Sequence, residues 1–156
     1  MKNVGLGQTI HTLANIGVIA GIIFLAYEMR QNTQAVQSAS AESYLSGGSA
    51  LDLRIAQDSQ LASLLIKASE LEPLSDVEEL QVERFNYATL RQWETAHYLY
   101  SIGALDESLW SAYRQEIKKI ILRTPSLTNY WQGNSQSFTS EFGQQIDLIL
   151  AEGNDE

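Results

Sequence analysis

The side chains able to carry chemistry are few in this chain and loosely grouped. It has no cysteine and only two histidines, His11 and His97. Without thiols there is no disulfide scaffold, thiolate zinc site, cysteine nucleophile or CxxC redox pair. The one spacing with a chemical meaning is Glu94-Thr95-Ala96-His97. A glutamate and a histidine three apart on a helix aim at one metal, but a di-iron bundle needs two such pairs and two further inward glutamates. Only one copy is present, and on a helical wheel both residues fall away from the centre of the apolar stripe. The expectation is a surface ion-pairing glutamate and a partly exposed histidine, with no metal and no cofactor. His11 is isolated near the apolar N-terminal run and is not expected to be a ligand.

Two other groupings invite a functional reading. Glu70, Glu72, Asp76, Glu78, Glu79 and Glu83 form an acidic cluster around a turn. It lacks EF-hand spacing, and carboxylates at a helix start complement the helix dipole, so a solvated face is expected. Ser46-Gly47-Gly48-Ser49 has neither the GK[ST] of a phosphate loop nor a preceding strand, and reads as a helix break. Trp93, His97 and Tyr100, with Tyr87 and Tyr98, could line a small-molecule pocket inside a helical bundle; the same spacing also suits core packing. No nucleophile or acid–base constellation is readable, and the chain is expected not to be an enzyme.

These residues must be positioned by helices. Strand alternation and hairpin turn pairs are missing, and the fold class expected is all-α, one long N-terminal transmembrane helix followed by a small helical bundle. No Asp, Glu, Lys or Arg occurs between Asn3 and Tyr27. Residues 8–27 just reach the roughly 20 apolar residues that a spanning helix needs. Tyr27 is placed for an interfacial aromatic and Arg30 for snorkelling to headgroups; Gln31 and Asn32 follow as possible headgroup contacts. Gly17 and Gly21 form a GxxxG, which lets two helices approach closely in lipid. Lys2 on one side and Arg30 on the other nearly tie the positive-inside count.

After the span, residues 31–48 read as a polar helical stalk ending at Gly47-Gly48. Asp58 caps a helix with Leu61, Leu64, Leu65, Ala68 and Leu71 on one face. Ser75-Asp76-Val77-Glu78 is a capping box for a long helix running to Gly103, a C′ residue. Asp106 starts the next helix, which Thr124-Pro125 breaks; Tyr130 and Trp131 lie on a short turn. A last helix aligns Phe142, Ile146, Ile149 and Leu150. The organisation expected is an anchor at 1–30, a stalk at 31–48, an acidic helical domain at 49–152 and a polar tail at 153–156.

Net charge is −9. Lys2, Arg30, Glu28 and Glu42 cancel within residues 1–50, so the whole acidic excess lies beyond. Such a domain repels phosphate backbones, and nucleic acid is not an expected partner. Expected partners are the lipid bilayer and a protein partner, or a homo-oligomer formed through the N-terminal helix.

Phe24-Leu-Ala-Tyr-Glu-Met-Arg-Gln-Asn-Thr33 resembles the end of the membrane helix in a family of uncharacterised bacterial proteins, where a Tyr-Leu-Ala-x-Gln-Ile-Arg-Gln-Asn-Thr-type segment precedes a helical domain of similar size. This chain departs at Phe24, Glu28 and Met29. The likeness continues through Leu105-Asp-Glu-Ser-Leu-Trp110, Tyr130-Trp131, Phe138-Thr-Ser-Glu-Phe142 and Ile146-Asp-Leu-Ile-Leu150. It implies architecture and a single-pass protein of the bacterial cytoplasmic membrane. Members often carry more arginines after the span, implying a cytoplasmic domain; here Arg30 stands alone.

Overall fold

The computed structural model describes residues 5–154. Among them are six α-helices, one 3₁₀ turn and no strand, in the order α1 (Leu6–Gln57), α2 (Ser59–Ser69), α3 (Asp76–Ser101), α4 (Glu107–Arg123), α5 (Pro125–Asn134), the 3₁₀ turn Ser135–Ser137, and α6 (Ser140–Asn154). The all-α expectation holds. The chain divides into two compact units after Ser38. Lys2, on which the orientation count drew, lies outside the described residues.

The first unit is one stretch of α1. From Ile10 to Met29 every side chain is exposed, with Ile19, Ile22 and Phe24 at 57, 61 and 61 %. One 18-residue window of this helix is long and apolar enough to cross a membrane, and none of that window is buried.

The helix does not stop at Gly47-Gly48, as the glycine pair suggested; it runs on to Gln57. The physical reason lies in the second unit. A β-carbon at Gly47 would stand 2.7 Å from Gln92 Nε2, and that nitrogen donates to the Tyr44 carbonyl at 2.9 Å. Gly47 is the close approach that lets α3 dock on α1. Residues 39–57 therefore belong to the helical domain, not to a stalk.

Capping follows the sequence closely. Asp58 accepts from the Gln60 and Leu61 amides, both at 3.0 Å. Ser75 and Glu78 close the capping box, and Lys67 pairs with Glu78 at 2.9 Å. Gly103 takes φ 73° at the end of α3, with Gly103 N donating to Tyr100 O and Ala104 N to Leu99 O, a Schellman end. The end of α2 uses the same pair of bonds, Leu71 N to Ala68 O and Glu72 N to Lys67 O. Here the left-handed residue is Leu71, at φ 57°. Leu71 thus sits past the helix and is 62 % exposed, not on its buried face. Pro125 opens α5 at N1, and Tyr130 and Trp131 lie in this full helix, longer than the expected turn. Of the expected tail at 153–156, Gly153 and Asn154 belong to the last turn of α6, and residues 155–156 lie outside the described residues.

The core is aromatic and aliphatic. Trp131, Phe142, Leu90, Ile117, Ile121, Ile146 and Ile149 are its largest fully buried side chains. Trp131 meets Phe138 and Phe142 at ring-centroid distances of 5.4 and 5.8 Å, and its indole N–H donates to Asp147 Oδ1 at 3.0 Å. Thr128 Oγ1 donates to Ile121 O at 2.7 Å, a carbonyl at the end of α4 that the Thr124 amide reaches only at 3.5 Å.

Candidate functional site

The Glu94–His97 pair resolves into a structural clamp. Glu94 is buried, 8 % exposed, which corrects its expected surface place. The Thr139 amide donates to Glu94 Oε1 at 2.7 Å, and Arg91 pairs with Oε2. Arg91 also donates to Ser137 O at 2.7 Å and to Tyr87 Oη at 3.0 Å, with its guanidinium 4.7 Å from the Phe138 ring centroid. One arginine and one carboxylate therefore tie α3 to the turn that enters α6. Burial pushes the Glu94 carboxyl up, but the Thr139 amide and Arg91 outweigh it and hold the group below its ordinary value. His97 lies half-buried between Trp110 at 5.3 Å and Phe142 at 6.1 Å. Burial lowers its pKa against the raising charges of Glu141 and Glu94. Among the described residues no three metal-ligating side chains converge.

The three aromatic-pocket candidates do not share a cavity. Tyr100 stacks on Trp110 at 5.4 Å. His97 borders a shallow depression with Tyr98 and Thr139. Trp93 turns toward a different space, a cavity of about 250 Å³ between residues 44–55 of α1, α3 and α4. Positions 93, 97 and 100 share one face of α3 but lie at successive turns along it: Trp93 reaches α1 and α4, His97 reaches Trp110 of α4 and Phe142 of α6, and Tyr100 reaches Trp110.

That cavity combines aromatic and acidic lining. Its aromatic walls are Tyr44, Phe85, Trp93 and Tyr113. Tyr44 is 7 % exposed and Trp93 6 %; the two tyrosine rings meet edge to face at 4.3 Å. Gln92, Thr89 and Ser49 add polar lining, and the only charged lining residues are Asp52 and Glu116, both exposed. The Tyr113 hydroxyl is buried and has no hydrogen-bond partner. Burial, the adjoining Tyr113 and Glu116 raise the pKa of Tyr44; burial and Glu116 raise that of Tyr113. Both remain neutral phenols. Sequence reasoning placed Trp93 in a pocket but missed Tyr44, Tyr113 and Glu116. The available signal was the helical register of Tyr113 and Glu116, which share neither a motif nor a neighbour in sequence with Tyr44.

In the N-terminal unit Gly17 and Gly21 have open space where a β-carbon would stand. Tyr27, Arg30, Gln31 and Asn32 are all exposed. Thr33 Oγ1 donates to Met29 O at 3.0 Å, so its hydroxyl is turned back on its own helix.

Compared with family models, with curated proteins and with solved structures, the chain matches none of them.

Proposed function

We propose that this chain is a single-pass membrane protein whose N-terminal helix anchors an acidic helical domain that acts by binding, as a protein-interaction module or an accessory subunit of a membrane assembly. One observation carries this reading. The uncharged stretch from Ile10 to Tyr27 is helical and exposed on every side, and an all-round apolar helix needs lipid or protein around it. Tyr27 and Arg30 then serve as interface anchors, with Gln31 and Asn32 at headgroup level. Gly17 and Gly21 offer a face for helix association, with a second copy or with a partner's span. The resemblance to bacterial membrane proteins supports the cytoplasmic membrane as the location, with the domain on the cytoplasmic side.

The test is fractionation of expressing cells followed by an alkaline carbonate wash. Retention in the pellet is the expected result; release into the supernatant overturns the anchor. In mild detergent, Gly17→Ile with Gly21→Ile should reduce the size of the complex on a sizing column. An unchanged complex would remove that helix face from the assembly.

A second reading, a small-molecule sensor, is favoured by one observation: the space between α1, α3 and α4 lined by Tyr44, Phe85, Trp93 and Tyr113 together with Asp52 and Glu116.

A further inference from the structure

The cavity beside Tyr113 has a definite chemical character, which deepens the sensor reading and does not depend on the membrane anchor. Its volume, about 250 Å³, lies just under the roughly 300 Å³ at which pockets for drug-sized ligands begin. It opens to solvent past the exposed Ser49, Asp52 and Glu116, and its size suits a small molecule. Tyr44, Phe85, Trp93 and Tyr113 line it, and the faces of aromatic rings attract cations. Asp52 and Glu116 are exposed acids on its lining, and no Lys, Arg or His lines it. The local field therefore favours a positive guest and opposes an anion.

Glu116 adds direction. An ammonium N–H can donate to its carboxylate while the alkyl chain lies against Trp93 and Phe85. We propose that this cavity binds a small alkylammonium ion, with Tyr44, Trp93 and Tyr113 as the aromatic cage and Glu116 as the counter-charge. Neutral molecules of the same shape satisfy the aromatic walls but not the carboxylates.

The experiment uses the full chain in maltoside micelles at constant ionic strength and follows tryptophan fluorescence, since Trp93 lines the cavity. The probes are n-butylammonium, 1-butanol and butyrate, which share a carbon chain and differ in charge. Saturable binding of the ammonium, about tenfold weaker binding of the alcohol and none of butyrate is the expected pattern. Glu116→Gln should weaken the ammonium about tenfold and leave the alcohol unchanged. Asp52→Asn is the second charge variant and should weaken the ammonium severalfold. Far-UV circular dichroism and the melting midpoint confirm that each variant is folded. Alcohol binding as tight as that of the ammonium would reduce the site to an apolar hole. No saturable response to the ammonium, or binding indifferent to both charge variants, would overturn the proposal. All of these outcomes are independent of the carbonate wash.

Discussion

The two ends of α1 share one backbone and meet opposite conditions. From Ile10 to Met29 the helix is apolar on all sides and nothing in the described chain covers it. From Ala41 to Ile55 it is far more polar, yet Tyr44 is buried to 7 % and Ala41 packs against the domain core. Hydropathy alone would bury the first stretch and expose the second. What decides burial is a complementary surface. Residues 39–57 have one in α3 and α4, shaped by Gly47 and held by the Gln92–Tyr44 bond. The apolar stretch has none among the described residues, and the proposed anchor role supplies that complement from lipid.

The sharpest way to break this comparison is to charge the uncovered stretch. Ile19→Arg with Ile22→Arg places two guanidiniums mid-span, at about 2.5–3.5 kcal/mol each on the insertion scale. Carbonate-resistant membrane retention should be lost, while the melting midpoint of the helical domain stays unchanged. Persistent retention would mean that the stretch is held by protein and not by lipid. The converse experiment strikes the covered unit. Trp131→Ala removes a side chain that is 2 % exposed and should cost about 3–5 kcal/mol of domain stability. Membrane retention of that variant should be unaltered.

A smaller effect separates the groups that hold the domain together. Glu94→Ala leaves the Thr139 amide and Arg91 without their acceptor, and about 2–3 kcal/mol should be lost in a denaturant titration. The wild-type protein should show the same dependence through pH. The Glu94 carboxyl titrates below its ordinary 4.5 when folded, and Glu78, held by the Ser75 amide and by Lys67, titrates at about 2. Their contributions are complete above pH 4.5 and are lost as the pH falls through the folded values. His97 titrates below its ordinary 6.5; its neutral packing contributes fully above that pH and is likewise lost on acidification. The melting midpoint should therefore fall in two stages. His97→Gln should flatten the stage beginning below pH 6.5, and Glu94→Gln should reduce the more acidic one, leaving the part due to Glu78. A midpoint that rises on acidification would contradict both assignments.

The smallest expected effect compares the ends of α2 and α3. Both close with Schellman bonds, but Gly103 sits at φ 73° and Leu71 at φ 57°. A β-carbon in the left-handed region costs roughly 1–2 kcal/mol. Leu71→Gly should accordingly stabilise the domain by about 1 kcal/mol, less whatever packing the exposed leucine supplies. Gly103→Leu should destabilise it by a similar amount. Equal and opposite shifts in melting midpoint would show that the two ends differ only in the side chain they carry.

Local chemistry was legible from the residues alone. The caps at Asp58, Ser75–Glu78 and Asp106, the glycine at 103 and the break at Pro125 all act within a few residues of themselves. Their effects do not depend on what packs nearby. The buried face Phe142–Ile146–Ile149 follows from helical periodicity, as does the all-α class. Tertiary structure decided the rest. Gly47-Gly48 reads as a stop because glycine is a poor helix former, but a neighbouring helix that needs the space keeps it helical. Glu94 reads as a surface carboxylate until the Thr139 amide, 45 residues on, arrives to be capped by it. The cavity walls come from positions 44, 85, 93 and 113, which no local pattern links. Periodicity assigns each side chain to a face of its own helix; which faces meet, and what space they leave between them, is settled only when the helices pack.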